Sequence, residues 1–549
     1  MQASIKAEVS SQVLQVLSDS CVQFEDHDRK NAMPLPVSSE AHAGGRHAVV
    51  MGALLSLFVF AVCYCRSFVL PHVPILPGGD QIGFVDNGSR IIAGELPYRD
   101  YFEVVPVGTD LIYAGLIKWF GLDTWIPGLV MASLAAATVM LMTVLAGRAM
   151  RGTVIVLPGL LLSGFVLPGS LDATHHWFST LAALAAMLVL LDGITLPRIA
   201  TSGALCGLAA CFTQTVGAAL VAAFVAYLVW KTRREGVSAG ERLRKYLLLC
   251  GTAAAMFALV NAYFVWTAGL RRWIFFLFIY PLRYYPAPDG NNWRVLLYDF
   301  RWHPGLVRWI SFPFVYATVP LVYIIFGLVA HRRWRKDRDQ PWDWLVLLAV
   351  TGFAMFLAIA PSPSVKRLST VSPPAMILLT WLLDRPGNTA GRLRTVVGAL
   401  AVALAIAGPI YNQRRWRACI DLPAGRTAVD PVWYEEYRWA LRHTSPGQPF
   451  FGNSMMYFPL RLWNPASIEG LDSTEYTRPE QVVALVQALE KHRIPLMILG
   501  PTEVAISPDH PLGHLWPFRD YLLQNYHVTK TFPSGDQVWE RTDAPPASQ

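Results

Sequence analysis

The sequence predicts an α-helical polytopic membrane protein of about eleven transmembrane helices, followed by an extracytoplasmic C-terminal α/β domain. Three observations predict it. Hydrophobic residues make up 53% of the 549 residues and charged residues only 15%, against about 25% charged in a soluble globular protein. The mean hydropathy is +0.35. The apolar residues are gathered into runs that approach the span of a bilayer core, and clusters of Lys and Arg fall between alternate runs. This balance excludes a string of soluble domains and a disordered chain. The net charge of +8 comes from those short clusters rather than from a continuous basic face. Membrane topology accounts for it, and no nucleic-acid partner is expected.

Residues 1–47 are polar, with the mixed-charge stretch Glu25-Asp26-His27-Asp28-Arg29-Lys30 and no apolar signal-peptide core. They are predicted to form a disordered cytoplasmic tail. Predicted spans then follow at 48–69, 124–146, 153–168, 177–191, 199–213, 215–230, 247–268, 309–330, 343–360, 373–383 and 395–411. The apolar stretch 107–120 is short and carries Asp110 and Lys118, so it is predicted to lie along the outer membrane surface. Arg148 and Arg151, the cluster from Lys231 to Lys245, the cluster from Arg332 to Arg338, and Arg385, Arg392 and Arg394 all become cytoplasmic if the N-terminus is inside. The chain is then expected to be a multi-pass membrane protein with its N-terminus cytoplasmic. Segments 70–123, 169–176, 269–308 and 361–372, a turn near Gln214 and everything from 412 lie outside. The domain plan is a tail at 1–47, a membrane domain at 48–411 and an outer domain at 412–549.

The outer domain, of about 130 residues, is large enough for a core of its own. Thr477-Arg478-Pro479-Glu480 has capping-box spacing ahead of a helical stripe of Val482, Val483, Leu485, Val486 and Leu489. Leu496–Leu499 reads as a buried strand, 518–526 as a helix, and 527–532 with 537–541 as a hairpin. The seven cysteines are scattered through apolar runs or stand alone, so neither a structural disulfide nor a zinc site is expected.

Chemistry is expected on the outer side. Asp80 follows the Gly78-Gly79 pair just after the first membrane exit, where a carboxylate is placed for general-base work. From composition alone a solvated loop carboxylate is the commoner state of such a residue. Asp172 stands at the mouth of a span, where ionisable groups tend to be functional; an N-cap for the next helix is the plainer alternative. His175 and His176 are adjacent, so they are expected to face different sides of a helix in a surface or interfacial role. Arg271, Arg272 and Arg283, with Arg294, Arg301 and Arg308, alternate with aromatic residues in the third outer segment, and Lys366-Arg367 occupy the fourth. Outer basic residues breach the positive-inside pattern and point to an anionic ligand such as a lipid phosphate, or to a headgroup-contacting belt. Nucleotide-binding loops and the HExxH metal motif are not present in the sequence.

Asp80-Gln81, the helix ending Ile92-Ala93-Gly94, the run Pro97-Tyr98-Arg99-Asp100-Tyr101-Phe102-Glu103 and Pro106 resemble the first outer loop of bacterial GT-C membrane glycosyltransferases. These are relatives of the protein O-mannosyltransferases and the lipid A aminoarabinose transferases. The resemblance extends over 48–411 and includes the Asp172 segment, Thr213-Gln214-Thr215, and Lys366-Arg367 ahead of Pro373-Pro374. The sequence departs from the family pattern at Gln81, where a second carboxylate is usual. It departs again at Val104-Val105-Pro106-Val107, which replaces Lys-Pro-Pro, and at Gln214, where many relatives carry Lys. The resemblance implies an inverting glycosyltransferase that moves a sugar from a polyprenyl-phosphate donor to a hydroxyl on a lipid, glycan or protein acceptor at the outer face. It implies Asp80 and Asp172 as the catalytic carboxylates, with Arg99, Asp100, Glu103, Arg271, Arg272, Arg283, Lys366 and Arg367 holding substrate and phosphate. It names no cofactor and leaves a divalent metal open. A lipid or anion transporter or flippase, and a non-catalytic scaffold for envelope assembly, are the rival readings.

Overall fold

The structure is a computed structural model that describes residues 39–284, 307–334, 337, 340–384, 388–415, 417–472, 476–504 and 513–543. The predicted disordered tail up to residue 38, and the aromatic-basic run 285–306, lie outside the described residues. The chain divides into Met1–Gly44, which is helical from Ser39, and Gly45–Gln549, a single compact unit.

The first helix, α1, covers Ser39–Ser67. Two shorter helices, α2 (Asp80–Ile92) and α3 (Gly108–Phe120), follow in the first outer segment. Next come α4 (Trp125–Ala146), α5 (Gly152–Ser170, with a π-helical middle), α6 (His175–Leu191), α7 (Leu196–Phe212), α8 (Gln214–Arg234) and α9 (Ala239–Ala268). After a broken helical segment at 270–283 come α10 (Phe312–Arg333), α11 (Trp342–Ala358), the short α12 (Val365–Thr370), α13 (Pro373–Leu383) and α14 (Asn388–Arg414). Among the described residues, seven of these are long and apolar enough to cross a membrane: α1, α4, α5, α8, α9, α10 and α14. The apolar α6, α7, α11 and α13 are shorter. A 17-residue helix such as α6 rises only about 25 Å. The eleven apolar helices fall on the eleven predicted segments, and the chain is a multi-pass helical membrane protein. The amphipathic α3, as predicted for 107–120, is not among them; its end exposes Trp119 and Phe120.

Small residues let the bundle close. A β-carbon on Gly203 of α7 would stand 2.5 Å from the Leu249 carbonyl of α9, and one on Gly207 would stand 2.2 Å from that of Ala253. The two backbones therefore touch, the usual route to helix association where lipid removes the hydrophobic drive. At the C-terminal end of α7 the chain turns through Thr213 in an extended conformation (φ −143°) straight into α8, which places Gln214 at a helix start.

Beyond α14, β1 (Ala418–Leu422) and β2 (Gly425–Val429) form an antiparallel hairpin ahead of α15 (Pro431–His443). A four-stranded sheet follows, made of β3 (Phe451–Gly452), β4 (Leu496–Leu499), β5 (Tyr526–Thr531) and β6 (Gln537–Arg541). Its order is β3-β4-β6-β5, with β3 and β4 parallel and the other pairs antiparallel. The period-2 alternation of β4 builds two cores: Leu496 and Ile498 pack with Tyr437 and Phe450, while Met497 and Leu499 pack under α16 (Pro479–His492) and α17 (Trp516–Asn525). The cap of α16 lies one residue beyond the predicted box. Gln481 accepts the Arg478 N–H at 2.8 Å, because Pro479, which has no N–H, takes the first helical position. Thr477 instead accepts the Asp472 N–H at 2.7 Å.

This α/β region is stitched to the first outer segment. Leu76 N–H donates to Ala428 O (3.0 Å), Thr124 N–H to Ala424 O (3.0 Å) and Phe102 N–H to Ser467 O (2.6 Å). The Trp463 indole donates to Glu95 at 2.7 Å. If the α/β region is outside, reporter fusions at Gly236, in the loop between α8 and α9, and at Asp543 give opposite signals. Equal signals from the two sites would break the eleven-span topology.

Candidate active site

α2 begins at Asp80. The preceding Gly79 has φ +68°, a conformation that suits glycine, and it lets the chain enter the helix abruptly. Asp80 thus sits in the first turn, where the helix dipole favours a carboxylate. It lies on the wall of a cavity of about 290 Å³ and makes no hydrogen bond or ion pair among the described residues. Gln81, one position on, is turned about 100° away and is buried beside Tyr113, so the neighbour of Asp80 is not a second cavity group. The cavity is also lined by Asn87, Glu103, His175, His176, Thr213, Gln214, Arg367, Glu469 and Tyr476.

Glu103 is fully engaged. One oxygen accepts the backbone N–H groups of Val104 and Val105, each at 2.8 Å, and the other accepts Asn87 Nδ2 at 2.8 Å. It braces the cavity wall, and Asn87 keeps its buried Oδ1 without a partner. Gln214 spans from the first outer loop to the third, donating to the carbonyls of Val104 (3.3 Å) and Leu277 (3.1 Å).

The cavity wall also carries a cation. Arg367 donates from Nη1 to Ser362 O (2.8 Å) and from Nε to His176 Nε2 (3.3 Å). The acceptor role of Nε2 fixes a His176 tautomer that leaves this nitrogen without a proton. His175 and His176 do not diverge as predicted. Their rings lie 3.8 Å apart in the first turn of α6, and both line the cavity. His175 is anchored by Nδ1 against the Phe212 carbonyl at 3.3 Å.

Other predicted residues fall elsewhere. Asp172 accepts the Thr174 hydroxyl at 2.7 Å, lies within electrostatic reach of Asp80 and is not on the cavity wall. The N-cap of α6 is Thr174. Lys366 is exposed and outside the cavity. Arg99 and Asp100 pair with each other at 2.6 Å, and Asp100 caps the Leu96 N–H at 2.8 Å; both are exposed, close a loop turn and are off the cavity wall. Arg271, Arg272 and Arg283 correct the expectation of a phosphate cluster. Trp273, Leu277 and Tyr280 take the inward face of 270–283 at helical spacing. The three arginines are left exposed, with Arg272 over the Phe276 ring at 5.6 Å. Among the described residues of that segment, Pro281 reaches the cavity wall. Glu469 was not anticipated, because it arrives from the α/β region. Among the described residues no group of three or more His, Cys, Asp or Glu is arranged to hold a metal ion.

Burial sets the protonation of the carboxyl groups under the cavity. Asp86 is pushed up to about 7 by desolvation, against the pull of Arg90 and with a further push from Glu469. Asp172 is raised to about 6, again chiefly by burial, while the Thr174 hydrogen bond and Lys366 pull it down and Asp80 pushes it up. Glu103 and Asp110 are raised by burial as well. These groups hold protons in the folded state that an unfolded carboxyl, at about 4, releases. Their contribution to stability is complete below pH 4 and is lost as pH rises through 6 to 7. Thermal unfolding in detergent should therefore occur at a higher temperature at pH 5 than at pH 8; the reverse order would contradict these buried protons.

No family model and no curated protein matches the sequence. Solved structures match the fold. ArnT from Cupriavidus metallidurans bound to undecaprenyl phosphate superposes with a TM-score of 0.59 at 14% identity, over 91% of this chain and 99% of that one. Its apo state gives 0.57 at 14% identity, over 88% and 97%. The oligosaccharyltransferase AglB from Archaeoglobus fulgidus, in complex with an inhibitory peptide and a dolichol-phosphate, gives 0.50 at 11% identity, over 93% and 76%. The fold of this chain is that of the ArnT and AglB structures.

Proposed function

We propose that the protein is a glycosyltransferase that moves a sugar from a polyprenyl-phosphate-linked donor to an acceptor hydroxyl on the outer face of the cytoplasmic membrane. The observation that carries this reading is the charge layout of the cavity. The carboxylates of Asp80 and Glu469, which no hydrogen bond or ion pair engages among the described residues, line the same cavity as Arg367 and His176. A transfer from a lipid phosphate needs both kinds of group, a proton acceptor for the attacking hydroxyl and positive charge for the departing phosphate. The shared fold supports it, since the ArnT structure holds undecaprenyl phosphate and the AglB structure a dolichol-phosphate.

In this reading the acceptor oxygen attacks the anomeric carbon as Asp80 takes its proton. The bond from that carbon to the phosphate oxygen breaks, and the lipid phosphate leaves with the electron pair, stabilised by the guanidinium of Arg367. A single displacement inverts the anomeric configuration. Asp172, within electrostatic reach of Asp80, supports its orientation and is not a proton carrier in the reaction. The acceptor is a lipid, glycan or protein hydroxyl. Purified protein in nanodiscs, given radiolabelled polyprenyl-phosphate sugars and an envelope extract, should pass label from lipid to acceptor, and free undecaprenyl phosphate should inhibit. Inertness towards every such donor would defeat the proposal.

A further inference from the structure

Glu469 lies beyond the last membrane helix, in the chain leading to α16, yet its carboxylate reaches the cavity beside Asp80. It packs on α2 where that helix has no side chain: a β-carbon at Gly83 would stand 3.2 Å from Glu469 Oε2. Among the described residues, no hydrogen bond or ion pair engages its carboxylate oxygens, in contrast to those of Glu103, which accept three N–H donors. Glu469 also lines a second cavity, of about 550 Å³, between the first outer loop and the α/β region. The two cavities share Glu103, Val104, Glu469 and Tyr476 as walls, so they adjoin. The described walls of the second carry Asp472, Glu503 and Asp536 but no Lys or Arg. Arg367 thus lines the first cavity, the acidic groups line the second, and Glu469 lines both.

We propose that Glu469 binds and orients the acceptor, which enters through the second cavity, by accepting a hydrogen bond that turns the attacking hydroxyl towards Asp80. The inference rests on the glycosyl-transfer reading. It names the acceptor class as a hydroxyl-bearing group without phosphate or carboxylate at its entering end, since the described walls there carry carboxyl groups and no Lys or Arg to receive such an anion. It also assigns the α/β region a part in the reaction centre: the membrane domain alone has the donor end of the site but not the group that receives the acceptor.

The test compares wild type, Glu469→Gln and Gly83→Ala in nanodiscs. The donor is a radiolabelled polyprenyl-phosphate sugar, the acceptor is an envelope extract at varied concentration, and undecaprenyl phosphate is the competing probe. Glu469→Gln should raise the half-saturating extract concentration about tenfold and leave inhibition by undecaprenyl phosphate within about twofold. Gly83→Ala should shift it in the same direction to a smaller extent. Alanine is the better helix former, so that variant separates displacement of the carboxylate from misfolding. Wild-type half-saturation in both variants, or equal loss of acceptor and undecaprenyl phosphate affinity, would overturn the inference while wild-type turnover left the transfer reading standing. Absence of wild-type turnover would overturn both.

Discussion

Asp80→Asn abolishes sugar transfer while leaving expression and lipid-phosphate binding nearly unchanged. The substitution keeps the shape of the side chain and removes its ability to take a proton. Loss of a general base costs about a hundredfold to ten-thousandfold in rate, or roughly 3–5 kcal/mol of transition-state stabilisation. Three of its neighbours are poor replacements. Gln81 is an amide and is buried away from the cavity. Glu103 has its oxygens filled by three N–H donors. Asp172 is tied to Thr174 and lies off the wall, so Asp172→Asn should lower the rate less. Asp80 is exposed at a helix start, so its removal should not unfold the chain. A larger loss in Asp172→Asn than in Asp80→Asn would reassign the base.

The second large effect falls on Arg367. Arg367→Ala should weaken undecaprenyl phosphate binding by roughly tenfold to a hundredfold, the worth of about 1.5–3 kcal/mol for hydrogen bonds to a charged group. Arg367→Lys should recover only part of this, because an ammonium cannot hold Ser362 and His176 while presenting a planar fork to a phosphate. Alanine at Lys366, Arg271 or Arg272 should change binding little, since those side chains are exposed and off the cavity wall. Competitive displacement of a labelled lipid phosphate reads all five variants. Equal losses at Arg271 and Arg367 would mean that the phosphate sits elsewhere.

What the sequence made legible is what hydrophobic patterning and local chemistry control. The apolar runs marked the membrane helices, and the polar breaks in 107–120 marked α3 as different in kind. Asp80 stood out because a glycine turn and a helix start are neighbours in the chain. Registers that depend on a neighbour's exact phase were harder: the cap of α16 slid by one residue because Pro479 has no N–H to donate. Side-chain direction was harder still. His175 and His176 converge because they occupy the first turn beside α7 and α12, which spacing along α6 alone does not reveal. The arginines of the third outer segment looked like a phosphate site until Trp273, Leu277 and Tyr280 claimed the inward face. Glu469 was out of reach of any local reading. It is 389 positions from Asp80, and only the docking of the α/β region onto the first outer loop brings the two together.

The most direct test reconstitutes the protein in liposomes with a polyprenyl-phosphate donor labelled in the sugar, supplies an envelope extract, and measures free lipid phosphate against label transferred. Glycosyl transfer predicts one equivalent of lipid phosphate released for each sugar moved, with both absent in Asp80→Asn. Intact donor appearing on the opposite leaflet, with no free lipid phosphate and no labelled acceptor, would contradict the account and identify a flippase instead.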